Sequence, residues 1–155
     1  MSVETLDELD RRILEQLQED SSLTNQELAG RVHASPPTCL RRVRRLTDRG
    51  IIQKQVAILD PSKVGHTLTA IIEITLDVQT AESLLRFEDA VAKQTTVLQC
   101  YRVASGPDFV LITQVADMPE YHLLVQRTLT AQANVRNVRT FFSIKRSKFD
   151  TRTRL

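Results

Sequence analysis

Ser35-Pro36-Pro37-Thr38-Cys39-Leu40-Arg41-Arg42-Val43-Arg44-Arg45-Leu46-Thr47-Asp48-Arg49-Gly50 is the stretch whose reading decides the fold of this chain. Ser35 offers a hydroxyl to the first free amides of a helix, Pro36 stands where a missing N–H costs nothing, and Gly50 supplies a left-handed stop. Wound at 100° per residue from Thr38, Arg41, Arg42, Arg45 and Arg49 fall within roughly 60° of it. Cys39, Leu40, Val43 and Leu46 gather at roughly 80° to 200°, so one face is basic and the other is a core face.

Working outward toward the N-terminus, Leu6, Leu9, Ile13 and Leu17 share one helical face over 6–18, with Thr5 and Glu8 as a capping box. A polar break at Asp20, Ser21 and Ser22 precedes a shorter helix capped by Thr24 and Glu27, with Leu28, Ala29 and Val32 facing inward. His33 and Ala34 then form the turn into the arginine helix. Three short helices with a tight turn between the second and third are the arrangement of a helix-turn-helix, and the third carries the cations. Between Arg31 and Lys54 the chain holds Arg31, Arg41, Arg42, Arg44, Arg45, Arg49 and Lys54 against Asp48 alone, an imbalance that the net charge of +2 conceals.

Beyond Gly50, residues 51–59 read as a strand leaving this unit, and Asp60-Pro61 breaks it. The rest alternates in type. Ala70, Ile72, Ile74, Leu76 and Val78 mark a strand with one buried face; a helix over 81–93 follows, then strands over 97–104 and 109–116 joined through Ser105-Gly106-Pro107-Asp108. A helix from 119 to about Thr130 and a last strand over 138–145 complete a βαββαβ order. The expected fold is therefore α+β: a winged helix-turn-helix over 1–60 with its connecting strand, then a ferredoxin-like domain over 61–155 with two helices on one face of a four-stranded antiparallel sheet. Its other face would carry Ile71, Glu73 and Thr75, a mixed surface that gains stability by packing on a second copy, so a homodimer is expected.

Composition closes off several classes. With 41% hydrophobic and 26% charged residues the chain can bury a core, and Cys39 and Cys100 are too few and too far apart for a disulfide framework or a metal pattern. The first ten residues carry four acids and no apolar run, and no later stretch is long and apolar enough to span a bilayer, so a cytoplasmic protein that neither spans nor binds membrane is expected. His33, His66 and His122 are scattered and no phosphate loop is present, so no catalytic or metal-binding residues and no cofactor are assigned. Cys39, on the inward side of its helix, is read as a small core residue in preference to a redox switch.

The motif 35–46, preceded by Leu9-Asp10-Arg11-Arg12-Ile13-Leu14 and followed by Gly50-Ile51-Ile52, resembles the leucine-responsive and asparagine-responsive regulators, the Lrp/AsnC family. Asp60-Pro61 through Gly65, the hairpin 100–108 and Val115-Ala116-Asp117-Met118-Pro119-Glu120-Tyr121 are similar to family segments in the family's order. The chain departs from the family at His33, where glycine is frequent, and at Gly106-Pro107, displaced by one position from the usual glycine. The resemblance implies a transcription regulator that binds double-stranded DNA operators as a homodimer, assembles into higher oligomers, and binds an amino acid or related metabolite through its ferredoxin-like domains. It also implies that Asp108 lines the effector site, with Thr140 as a further candidate.

From the residues, Pro37, Thr38, Arg41 and Arg42 are nearest the entering end of the recognition helix and are expected to touch bases, beside the capping Ser35. Arg45, Arg49 and Lys54 are expected to hold phosphates, and Arg44 points off this face. Ser105, Gly106 and Asp108 offer amides and a carboxylate to an amino acid whose ammonium would pair with Asp108; an aspartate that only caps its own turn is the other reading. The basic tail, with Lys145, Arg146, Lys148, Arg152 and Arg154, either brushes phosphates or stays frayed and solvated. The rival from another class is a metabolite-binding ferredoxin-like protein, or an enzyme, without operator binding.

Overall fold

The computed structural model describes residues 5–129 and 134–155, and the chain divides into one unit of Met1–Ile58 with Lys148–Leu155 and another of Leu59–Ser147. In the first, α1 (Glu8–Glu19), α2 (Asn25–Arg31) and α3 (Pro36–Asp48) enclose Ile13, Leu14, Leu28, Ala29, Val32, Cys39 and Leu46. The capping box of α1 forms two residues later than the pattern Thr5/Glu8 suggests. Asp7 accepts from the Asp10 amide at 2.9 Å and the Asp10 carboxylate accepts from the Asp7 amide at 3.4 Å. Asp10 has cations on α3 to meet, whereas Glu8 faces water.

Helix α2 starts on the expected Thr24/Glu27 box. Its exit needs a left-handed residue, and His33 takes that conformation at φ 55°, which lets the Ala34 amide donate to the Ala29 carbonyl at 3.0 Å. Ser35 caps α3 with Pro36 in its first turn, and Gly50, at φ 71°, turns the chain so that the Ile51 and Ile52 amides both donate to the Leu46 carbonyl.

The strand expected over 51–59 is not formed among the described residues. The segment forms no ladder, because the three helices offer it no strand neighbour, and Val56 and Ile58 are more than half exposed. With Leu14, Leu17, Ile51 and Leu155 they line a groove of about 1020 Å³. The C-terminal segment Lys148–Leu155, expected with the second domain, groups with the first unit. Gln18 holds it in both directions, Nε2 donating to the Thr153 carbonyl at 3.1 Å and Oε1 accepting from the Thr153 amide at 2.5 Å.

The second unit carries β1 (Leu68–Leu76), α4 (Ala81–Ala92), β2 (Val97–Arg102), β3 (Phe109–Val115), α5 (Met118–Leu124) and β4 (Val135–Phe142). The sheet order is β2-β3-β1-β4, antiparallel throughout, which is the ferredoxin-like arrangement. Alternation does the sorting: Ala70, Ile72, Ile74 and Leu76 of β1 and Phe109, Leu111 and Val115 of β3 face Phe87, Val91, Tyr121 and Leu124 from the helices. β1 ends at Leu76 instead of Val78 because the Asp77 and Val78 amides leave the ladder for the Asn134 carbonyl and side chain. β4 ends at Phe142, three residues before the expected Lys145. After α5 the chain widens into a π-helical turn, Val125–Leu129, and the expected helix end at Thr130 lies outside the described residues.

Candidate nucleic-acid interface and effector hairpin

The accessible face of α3 is displaced from the one that the arginine spacing picks out. Pro37, Arg41, Arg44 and Asp48 are exposed, while Thr38, Arg42, Val43 and Arg45 are half-buried. Leu40 and Thr47 are exposed as well, so the middle of the exposed surface lies at Arg44, roughly 120° around the helix from Thr38. Leu40, placed on the core side by the helical wheel, is 39% exposed. Cys39 is fully buried, and burial pushes its thiol pKa up, away from the reactive thiolate.

The displacement follows from two acids on and before α1. Arg42 Nη1 meets Asp7 Oδ2 and, at 3.2 Å, Asp10 Oδ1; Arg45 Nη2 meets Asp10 Oδ2 at 2.5 Å. The Asp10 side chain is only 2% exposed. The sequence carries a signal for it that helical charge spacing on α3 alone does not show: Asp10 lies inside the apolar stripe of Leu6, Leu9, Ile13, Leu14 and Leu17, and a charge in that position requires a cation from a neighbouring element. The Asp10 backbone N–H, and then the Arg42 guanidinium, hold the Asp7 carboxyl below its usual range, and Asp7 in turn raises Arg42. The two arginines expected to contact base and phosphate thus stand against carboxylates of their own unit.

The entering end of α3 is braced by short polar contacts. Ser35 Oγ accepts from the Thr38 amide at 3.4 Å and donates to Thr38 Oγ1 at 2.8 Å, and Asn25 Nδ2 donates to the Pro36 carbonyl at 2.9 Å. Arg49 and Lys54 are exposed beyond the helix body, and Arg41 and Arg44 make no ion pair among the described residues. The surface so presented combines a hydroxyl, a proline and the guanidinium groups of Arg41 and Arg44, which suits a polyanion with readable edges.

In the second unit, the β2–β3 hairpin turns on Ser105 at φ 75° and Gly106 at φ 94°, both exposed. Only glycine takes the second of these without strain, which accounts for Gly106 in the tip. Asp108 is engaged on one oxygen: Oδ2 accepts from the Leu76 amide at 2.7 Å and from Gln79 Nε2 at 3.3 Å, while its own amide donates to the Ile74 carbonyl. Ser105, Gly106 and Asp108 therefore stay together at the C-terminal end of β1. Thr140 does not join them. It pairs across from Ile72, four residues or about 13 Å back along β1, and on the helix side its hydroxyl lies 2.6 Å from that of Tyr121.

Comparison with known proteins bears on both units. Residues 6–53 match the model of a winged helix-turn-helix DNA-binding domain, and residues 69–153 match that of the Lrp/AsnC ligand binding domain. The leucine-responsive regulatory protein of Escherichia coli strain K12 is 37% identical over 147 residues, covering 95% of this chain and 90% of that one. Among solved structures, a transcriptional regulator of Neisseria meningitidis in complex with L-Met is 35% identical, with a TM-score of 0.87 over 95% of each chain. An AsnC family transcriptional regulator of Agrobacterium tumefaciens is 34% identical, with a TM-score of 0.89 over 96% of this chain and 97% of that one.

Proposed function

The chain belongs to the Lrp/AsnC family of DNA-binding transcription regulators, and from that premise we propose that it reads operator DNA through the N-terminal end of α3 and answers to an amino acid held at its β2–β3 hairpin. The observation that carries the DNA reading is the braced, cationic N-terminal end of α3, with exposed Ser35, Pro37 and Arg41 grouped around the half-buried Thr38. Arg41 can donate two hydrogen bonds to a guanine and Thr38 can meet a thymine methyl, while Arg49 and Lys54 are suited to flanking phosphates. A protein acting on DNA in this way works in the cytoplasm, binding its effector without transforming it; no described helix is long and apolar enough to cross a membrane.

For the effector, the support is the hairpin itself together with the L-Met bound by the Neisseria regulator. Asp108 Oδ2 is occupied by Leu76 and Gln79, and its remaining oxygen is suited to an ammonium group, with the Ser105 and Gly106 amides suited to a carboxylate. The open sheet face, where Ile71 pairs beside Ile112 and Phe141, is suited to a homodimer, and dimers to larger assemblies. Effector binding would then act by changing how dimers associate and which pairs of α3 helices meet half-sites together.

The test is selection of a binding sequence from random duplex DNA, followed by affinity measurements on wild type and an Arg41→Ala, Thr38→Ala double variant across a salt series. Specific binding that weakens with salt and loses its preference in the variant is expected; no preference for any sequence would leave a metabolite-binding protein without operator reading. For the effector, calorimetric titration with L-Met and a panel of other amino acids is compared with Asp108→Asn. That variant keeps an acceptor for the Leu76 amide and removes the charge, so loss of binding with an unchanged fold is the expected result, and unchanged affinity rejects the role of Asp108.

A further inference from the structure

We propose that Asp10, assisted by Asp7, is a positioning residue for DNA recognition: it withdraws Arg42 and Arg45 from the DNA-facing surface of α3 and thereby makes Arg44 the partner of Arg41 in reading DNA. The proposal rests on the assignment of α3 as the recognition helix and goes beyond it in naming which guanidinium groups are available. Four observations lead there. The Asp10 carboxylate is buried and engages Arg42 on one oxygen and Arg45 on the other, so both arginines are bound to α1 and their charges are balanced within the unit. Arg42 is gripped a second time by Asp7, the residue that caps α1, so the register of α1 and the rotation of α3 are coupled through one network. The exposed surface of α3 is centred on Arg44, with Arg41 three residues away and therefore beside it. Asp48 sits on the same surface one turn beyond Arg44, and its negative charge favours contact with phosphates at the N-terminal half of the helix over its C-terminal end.

The physical logic is one of exclusion. A guanidinium held by a buried carboxylate cannot reach a phosphate without leaving that carboxylate uncompensated, so Arg42 and Arg45 stay with Asp10 when DNA arrives. A cluster of four arginines without such a clamp would attach to any duplex through backbone charge alone, since phosphate contacts carry no sequence information. Asp7 and Asp10 reduce the number of free cations on the helix, lowering affinity for arbitrary DNA more than affinity for a matched site. The clamp thus sets specificity without touching DNA.

The experiment uses the full chain and a duplex selected by wild type from a random pool, with an unrelated duplex as reference, and measures affinity for both across a salt series for wild type, Arg44→Ala, Arg45→Ala and Asp10→Asn. Arg44→Ala is expected to lose about tenfold in affinity for the selected duplex and to flatten the logarithmic salt slope by about 0.9. Arg45→Ala is expected to keep slope and affinity within about twofold, and Asp10→Asn to steepen the slope, raise affinity for the unrelated duplex severalfold and narrow the ratio between the two. An inverted result, with Arg45→Ala flattening the slope and Arg44→Ala silent, overturns the proposal, as does a folded Asp10→Asn with the slope of wild type. Should Asp10→Asn fail to fold, the two arginine variants decide, because both side chains reach the surface. A wild type that selects no sequence rejects the DNA-reading assignment itself, a result distinct from the inversion.

Discussion

A carboxylate inside an apolar stripe is costly unless cations surround it, and Asp10 shows how this unit meets that cost: two guanidinium groups from the facing helix and one backbone amide. The arrangement is asymmetric, because Arg42 and Arg45 extend to the surface whereas Asp10 does not. Removing both arginines strands a buried charge, so the Arg42→Ala, Arg45→Ala double variant should lose about 3 kcal/mol in urea unfolding. Asp10→Ala should lose about 1–2 kcal/mol, since the released arginines can solvate. Equal losses would show that Asp10 is better hydrated than its burial implies. At His33 the strain is of another kind. A non-glycine residue held at φ 55° adopts a conformation that glycine takes freely, so His33→Gly should stabilise by about 1 kcal/mol and raise the thermal midpoint by a few degrees.

Among the elements, the helix starts carry a pH dependence. Asp7 at the head of α1 lies below its ordinary value of 3.8, first through the Asp10 backbone N–H and then through Arg42; Glu27 in the box of α2 lies below 4.5 through the Thr24 hydroxyl and then its amide. Both are depressed in the folded state, so the stability they contribute is fully present above those ordinary values and is lost as pH falls through the lower, folded ones. The urea midpoint of the N-terminal unit should be flat from pH 7 to about 5 and fall below about pH 4; Glu27→Gln should lessen that fall. Most of this level was legible. Ser35-Pro36, Thr24/Glu27 and the alternation of Ala70 to Leu76 announce their elements because capping and two-residue periodicity are local. Strand ends were less so: β1 stops where Asn134, distant in sequence, takes the next amides.

For the whole molecule, the chain enters the second unit after Ile58 and returns to the first at Lys148. Truncation after Ser147 removes the paired contacts between Gln18 and Thr153 and the cover given by Leu155, and should destabilise the N-terminal unit by about 1–2 kcal/mol. Amide exchange would then quicken in α1 and stay unchanged in β1 and β3. On the open face of the sheet, Ile71 stands between Ile112 and Phe141. Ile71→Glu places a charge where the proposed homodimer would bury it, and sedimentation should show dissociation at concentrations about a hundredfold higher than for wild type. An unchanged association would move the dimer contact elsewhere.

By itself the sequence determined the two-part α+β plan, the helix-turn-helix, the βαββαβ order of the second unit, and the helix that carries the cations. Those features depend on residue spacing, caps and local charge, all of which are written along the chain. Only the tertiary structure decided which arginines on α3 are free, that Thr140 stands apart from the β2–β3 hairpin, and that the C-terminal segment groups with the first unit. Each of these is a pairing between residues far apart in sequence: Asp10 with Arg45, Thr140 with Tyr121, Gln18 with Thr153. Helical spacing gives the angle of a side chain about its own axis, but the rotation of that axis against its neighbours is set by the buried partners it finds, and those belong to the fold as a whole.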